Sequence, residues 1–279
     1  MHVEVRLLFE SDIPAAMQLK EAAGWNQTED DWRRLLMLEP NGCFGAIRDG
    51  RLVGTTTTTT YGDELAWVGM VLVDPEHRRQ GIAAKLMSIA LDYLSGKVGR
   101  VKLDATALGQ PVYEKFGFQV ESLIERWSGM GRLHGEEQAG FSRDSLSELL
   151  ALDRDAFNAD RSKLVEALIE GASVSPVLMR DANGTLSGYA LARHGTRANY
   201  VGPVVAKEPQ QVESLIDQVL SQLSDRRVYI DFNKECSTGT TLLSDRGFVK
   251  ERDLIRMSSG RPSVKTSPFV VAIAGPEIG

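Results

Sequence analysis

A repeat of the chain within itself limits its architecture more than any other feature. Trp67 to Val73 (WVGMVLV) returns as Tyr200 to Ala206 (YVGPVVA), and Arg100 to Asp104 (RVKLD) returns as Arg227 to Asp231 (RVYID). Lys115 to Phe118 (KFGF) matches Asp245 to Phe248 (DRGF), and an arginine follows each glycine nine residues later, Arg126 and Arg256. Upstream, Gly50 to Gly54 (GRLVG) matches Gly184 to Gly188 (GTLSG). The offsets in chain order are 134, 133, 127 and 130, so four blocks recur at a nearly constant spacing. Such self-similarity marks a duplicated structural unit. Two copies of one fold are predicted, residues 1–130 and 139–279, and the glycine-rich polar stretch 129–140 (GMGRLHGEEQAG) reads as their linker.

Within the first copy, Asp12 and Pro14 ahead of an Ala/Met/Leu pattern predict a helix start near residue 12. Trp32 to Leu38 reads as a second short helix. Cys43 to Ile47 and Leu52 to Tyr61 read as strands joined at Asp49-Gly50, a hairpin turn pair. The six threonines Thr55 to Thr60 resemble low complexity, but β-branched residues favour strands, and a half-buried strand is expected. Ile82 to Leu94 reads as an amphipathic helix, Val101 to Leu103 as a strand, and Gln110 to Phe116 as a short helix ended by Gly117. Strand, helix and strand around a loop imply a parallel crossover within a mixed sheet, so the fold class is α/β.

The two copies differ at one place. Gly69 to Asp104 is a step of 35 residues, whereas Gly202 to Asp231 is a step of 29. The extra residues of the first copy hold Arg78, Gly81 and Ala83 in the pattern R-x-x-G-x-A, between an apolar strand and an amphipathic helix. A helix start leaves backbone N–H groups unpaired, and the helix dipole adds partial positive charge there. Gly81 lets backbone approach a ligand closely and Ala83 keeps the helix start unobstructed, which together suit a phosphate or pyrophosphate. No Gly-Lys-Ser/Thr triplet follows and the three-glycine dinucleotide spacing is missing, so this is neither nucleotide motif. The second copy has Ala206-Lys207-Glu208-Pro209-Gln210-Gln211 instead, where Pro209 removes a backbone donor. One anion site, in the first copy, is predicted.

This stretch resembles the acetyl-CoA signature of the GNAT N-acetyltransferase superfamily. Two more stretches strengthen the likeness. Gly69 interrupts an otherwise strong strand, which predicts a bulge or a close backbone approach. Asp104 to Phe118 (DATALGQPVYEKFGF) is similar to the superfamily ending N-x-x-A-x-x-x-Y-x-x-x-G-F, with Tyr113 at the tyrosine, Thr106 for the usual Asn and Gly109 for the usual Ala. The likeness covers residues 6 to 127, and W-N-Q-T from Trp25 with L-D-A-T from Leu103 resembles a bacterial tandem-GNAT subgroup. It implies two GNAT-type domains, each a mixed, mostly antiparallel sheet with a splayed central parallel pair flanked by helices. It implies acetyl-CoA as co-substrate, with Arg78, Arg79, Gln80, Gly81, Ile82, Ala83 and Ala84 around the pyrophosphate. Val71, Leu72 and Val73 would line the pantetheine arm, and Thr106 would stand beside it.

The implied chemistry joins a neutral amine to a thioester carbonyl and releases a thiolate. Backbone N–H near Val71 is placed to polarise the carbonyl. Tyr113 is the candidate acid, since a free phenol titrates near 10 and a thiol near 8.5. Trp67 to Val73 carries no carboxylate, so Asp104 at its strand end is the candidate base or amine anchor, with a capping role as the alternative. The acceptor, a small-molecule amine, is expected in a cleft between the copies. Trp25 and Asn26 with Gln27 would wall it in the first copy, and the Phe157 to Arg161 region, Tyr189 and Tyr200 in the second. No cluster has metal-ligand spacing. Two other readings stay open: a CoA-binding sensor without turnover, and a tandem-GNAT transferase of another acyl or aminoacyl group.

A net charge of −6 argues against general affinity for nucleic acid or an anionic membrane. Cys43 and Cys236 imply no disulfide framework. No stretch approaches the roughly 18 apolar residues of a membrane span and the start lacks a signal pattern. A cytosolic protein, monomer or homodimer, is expected.

Overall fold

The computed structural model describes residues 3–132, 141–235, 239–261 and 267–279. Most of the expected linker (133–140) and Cys236 lie outside the described residues. The chain divides into two compact units: residues 1–119 with 257–262 and 277–279, and residues 120–256 with 263–276. These units follow the two copies except at the last strand of each and at residues 277–279. The strand over 119–130, which the sequence assigns to the first copy, falls almost wholly in the second unit, and the end of the second copy's last strand falls in the first.

The first unit runs β1 (Glu4–Leu7), α1 (Ile13–Ala22), α2 (Glu29–Leu38), β2 (Cys43–Arg48), β3 (Arg51–Tyr61), β4 (Leu65–Val73), α3 (Ile82–Leu94), β5 (Arg100–Ala105) and α4 (Gln110–Glu114). Pro14 sits in the first turn of α1, where its missing N–H costs nothing. Gly24, at φ +69, closes α1 and sends Trp25 back to bond the Lys20 carbonyl at 3.1 Å. Helix α2 starts a turn earlier than its apolar pattern suggests. Thr28 Oγ1 accepts from the Asp31 amide while the Asp31 carboxylate accepts from the Thr28 amide at 2.8 Å, a capping box, and Glu29 and Asp30 add negative charge at the positive end.

Strands β1 to β4 are antiparallel neighbours in sequence order, and β5 joins β4 in parallel. The two faces can be read from side chains. A Cβ on Gly54 would touch Ile82 and Leu86, so that face of β3 packs on α3. Cys43, opposite Thr57, reaches the Leu35 carbonyl of α2, so the other face lies under α1 and α2. With helices on both faces, Thr55 to Thr59 are all buried rather than half-buried. Thr58 donates to the Gly42 carbonyl at 2.9 Å, and Thr60 to Glu39 at 2.6 Å.

The second unit begins with β6 (Gln119–Met130) and continues α5 (Leu146–Phe157), α6 (Ser162–Glu170), β7 (Val177–Arg180), β8 (Leu186–Arg193), β9 (Asn199–Ala206), α7 (Gln211–Gln222), β10 (Arg227–Asn233), α8 (Gly239–Asp245), β11 (Val249–Gly260) and β12 (Val270–Ala272). Its strand order is β11-β6-β10-β12-β9-β8-β7. A core of Val201, Val204, Leu215, Ile216, Val219 and Ile230 joins α7 to the sheet. A buried pair, Arg126 Nε to Asp231 Oδ1 at 2.7 Å, ties β6 to β10. Among the described residues no helix is long and apolar enough to cross a membrane.

Cys43 has no exposed surface, and burial pushes its thiol up to about 12. At pH 8 about one molecule in ten thousand would carry the thiolate. Iodoacetamide at pH 8 should therefore leave Cys43 unmodified in the folded protein and alkylate it in urea, as peptide mass mapping will show.

Candidate active site

Strands β4 and β5 pair only at Leu65–Arg100, Ala66–Val101 and Trp67–Lys102. β4 then runs on to Val73 and β5 to Ala105 with no strand of the described residues between them. The expected splay is therefore present. Its cause is a bulge: Thr57 faces Gly69 and Thr55 faces Leu72, so Thr56 is set against two residues, and Met70 takes φ +49. Thr55 Oγ1 donates to the displaced Met70 carbonyl at 2.8 Å and holds the bulge. The Asp74 amide bonds the Val53 carbonyl on β3, so by strand alternation Leu72 points its backbone toward β3. Val71 and Val73 then present theirs to the splay. The Val73 carbonyl is met there by Arg78 Nε at 3.2 Å.

The loop after β4 is braced from within. Asp74 accepts from the Glu76 amide at 2.9 Å, and Gln80 accepts from Arg48 at 2.7 Å while donating to the Glu76 carbonyl at 3.3 Å. Arg79 (φ +59) and Gly81 (φ +80) are both left-handed, and Gly81 is the N-cap of α3. No side chain caps this helix and no acidic residue lies in its first turn. A Cβ on Gly81 would meet nothing within 4 Å, so the space beside this N-cap is open. Arg78, Arg79, Gln80 and Gly81 are exposed beside it. Uncapped amides, the positive helix end and two arginines suit a diphosphate.

Tyr113 stands on α4 with its ring edge-on to Phe118, centroids 6.3 Å apart. The usual alanine is Gly109 here, and a Cβ on it would stand 3.0 Å from the Tyr113 ring, so the glycine makes room for the phenol. Among the described residues the hydroxyl makes no hydrogen bond, and burial pushes the phenol above its ordinary value. Thr106 turns inward to its own loop: its carbonyl accepts from the Gly109 amide at 2.9 Å and the Gln110 amide at 3.1 Å, and Oγ1 accepts from the Gly109 amide at 3.3 Å. Asp104 is half-buried on β5, two residues past the last β4–β5 pair.

On the α1/α2 face the residues of the first helix connection separate. Trp25 is half-buried, while Asn26 and Gln27 are buried. Gln27 Nε2 donates to Glu277 Oε2 at 2.8 Å. Residues 277–279 belong to this unit and lie along β4: a Cβ on Gly69 would collide with the Glu277 carbonyl at 2.5 Å, Tyr61 donates to the Ile278 carbonyl at 2.6 Å, and a Cβ on Gly279 would touch the Trp67 ring. Gly69 thus shows both expected features, a bulge beside it and a close approach. Sequence reasoning missed Glu277, and only the small residue at 69 pointed to something lying against the strand.

The second copy handles the same positions differently. β9 and β10 pair in parallel only up to Val201–Ile230, and β12 then lies between them, antiparallel to both through Val270–Val205, Ala272–Val204 and Phe232–Ala272. A strand of the chain fills the splay. The helix start is closed too: the Gln211 amide bonds the Glu208 carbonyl at 2.9 Å, the Val212 amide bonds the Pro209 carbonyl at 3.2 Å, and Glu213 brings negative charge. Tyr189 does not line an acceptor wall. It has no exposed surface and donates to Asp153, which also takes two 2.9 Å bonds from buried Arg161. Burial and the Asp153 charge push its phenol well above its ordinary value. Tyr200 is likewise buried, on Asp231 at 3.1 Å. No group of described residues could hold a metal ion.

A splayed parallel pair leading to an uncapped, glycine-opened helix defines an acetyltransferase of the GNAT class. The chain belongs to that family: residues 9–118 match the acetyltransferase (GNAT) family and residues 149–268 match an acetyltransferase (GNAT) domain. It is an acyltransferase with two such domains. It is 26% identical to the Bacillus subtilis (strain 168) protein called uncharacterized N-acetyltransferase YitH, over 89% of this chain and 88% of that one. It is 22% identical to holothin acyltransferase of Pseudoalteromonas sp. (strain SANK 73390), over 92% and 88%. Its fold is similar to a Pyrococcus horikoshii crystal structure described as a candidate acetyltransferase, with a TM-score of 0.84, 22% identity and coverage of 99% and 96%.

Tyr189→Phe removes one hydrogen bond to a charged group while Arg161 keeps Asp153 paired. Urea unfolding should show a loss of about 1–3 kcal/mol, and acyl transfer by the folded variant should match the wild type.

Proposed function

We propose that the first unit transfers an acetyl group from acetyl-CoA to the primary amine of a small molecule, both substrates being bound together. One observation carries the reading. The same splay is open and ends at uncapped amides in the first copy, yet is filled by β12 and closed by Glu208 and Pro209 in the second. The Arg78–Ala84 loop fits the diphosphate, and the outward backbone groups of Val71 and Val73 fit the amides of an extended arm. Each such bond contributes roughly 0.5–1.5 kcal/mol net. The carrier supplies a thioester, whose carbonyl carbon accepts the amine.

The chain's own groups do the rest. The bulge at Met70 turns strand backbone toward the carbonyl oxygen, an electrostatic contribution made without reorganisation. A buried phenol held above its ordinary value stays neutral and is a poorer acid than free tyrosine. Tyr113 therefore serves by donating a hydrogen bond to the departing sulfur rather than by surrendering its proton. One relative is named as an acyltransferase, a name that does not confine the donor to acetyl, so acetyl over longer acyl groups is part of the proposal. A cytosolic setting belongs to it as well.

Calorimetry should give one acetyl-CoA site per chain. Tyr113→Phe should lower kcat by about 10²–10³-fold, the loss of one preorganised hydrogen-bond donor, with acetyl-CoA affinity changed less than twofold. Two sites per chain, or no thiol release with a broad amine panel, would remove the reading, and binding without turnover would leave a CoA sensor. Gly81→Val forces a β-branched residue into left-handed backbone at a cost of about 1–2 kcal/mol. Acetyl-CoA affinity should then fall at least tenfold in the same titration.

A further inference from the structure

Strand β4 carries no carboxylate, yet a carboxylate lies against it. Glu277 is only 3% exposed, and its backbone and Cβ pack on Gly69, the residue before the left-handed Met70 of the bulge. Directly opposed residues of an antiparallel pair share a face. Thr57 opposes Gly69, Thr59 opposes Trp67, and Tyr61 opposes Leu65. All three therefore look onto residues 277–279, as the Tyr61 bond to the Ile278 carbonyl bears out. This is the face of α1 and α2, where Gln27 grips the Glu277 carboxylate.

The surroundings are polar beyond what the fold uses. Thr57 Oγ1, Thr59 Oγ1 and Gln27 Oε1 are buried without a hydrogen-bond partner among the described residues. Thr57 has no exposed surface, Thr59 is 2% exposed and Gln27 7%. Leaving one such group unsatisfied costs about 1–3 kcal/mol, so three on one face point to a polar ligand that completes them. The Glu277 carboxylate and the Gln27 amide oxygen, with two hydroxyls on the same face of β3, offer acceptors to an amine.

We propose that Glu277 is the residue that receives the acceptor's amine and takes its proton, with Gln27, Thr57 and Thr59 orienting the acceptor. The assignment rests on the transferase reading above and deepens it. In the step, the amine nitrogen forms a bond to the thioester carbonyl carbon and the carbon–sulfur bond breaks. The sulfur leaves as thiolate, hydrogen-bonded by Tyr113. The proton lost from nitrogen goes to the Glu277 carboxylate and returns through solvent to the thiolate. No external oxidant or reductant is required.

The test compares wild type, Glu277→Gln, Glu277→Asp and a chain lacking residues 277–279, by thiol release across pH at saturating acetyl-CoA. Calorimetry with acetyl-CoA and thermal unfolding accompany each variant. The carboxylate must be ionised to accept a proton, so wild-type kcat/KM for the amine should fall as pH drops. Glu277→Gln should lower kcat/KM about 10²–10³-fold and remove the carboxylate's share of that acid limb, leaving only the slope set by the amine's own protonation, with acetyl-CoA affinity within twofold. Glu277→Asp should recover part of the rate and restore the limb. A Glu277→Gln variant equal to wild type in rate and pH profile overturns the assignment and leaves the transferase standing. Faster turnover after removal of residues 277–279 also overturns it, because the segment would then be a plug. Wild type that binds acetyl-CoA but releases no thiol with any amine overturns both.

Discussion

Two parallel strands that part company create a problem the rest of each unit is built around. Once β4 leaves β5 after Trp67, the backbone groups of Val71 and Val73 point into a gap, and backbone polar groups in a protein interior must find partners. A bulge at Met70 steers the strand out, Thr55 secures the bulge, and the loop that follows leads into α3, whose first amides no side chain caps. The second copy solves the same problem internally: β12 lies in the corresponding gap and bonds both edges. One sheet design thus has two forms, open in the first copy, where the proposed function sets a ligand arm, and filled by a strand in the second.

Local chemistry was what the sequence made legible. The loop from Arg78 to Ala83 was readable because its glycine, its basic residues and the following apolar period lie within one short stretch. Helix α3 begins where that pattern placed it, at Ile82, and the Asp49-Gly50 turn joins β2 to β3. The start of α2 was placed late because Trp32 opens the apolar pattern, while Thr28 and Asp31 set the true beginning through side-chain bonds to backbone. The threonines of β3 were legible as a strand, but not as one covered on both faces, because burial depends on helices far off in sequence.

Non-local arrangements were the blind spot. Tyr189 was expected on the wall of a cleft between the copies, but its strand is buried throughout and its hydroxyl donates to Asp153. Thr106, expected beside the arm, also braces its own loop by accepting from the Gly109 and Gln110 amides. Gly69 correctly announced a close neighbour, yet nothing near it names Glu277, which arrives from the far end of the numbering. The same holds for β12, whose three residues, Val270–Ala272, carry too short a pattern to declare which gap they fill.

The division of the last strands bears on how such a protein persists. Most of β6 counts with the second unit and the end of β11 with the first, so neither repeat owns all of its sheet. A gene severed between the repeats would encode two fragments, each lacking chain segments that its compact unit contains. The half without the R-x-x-G-x-A loop therefore still supplies residues 257–262 and 277–279 to the first unit.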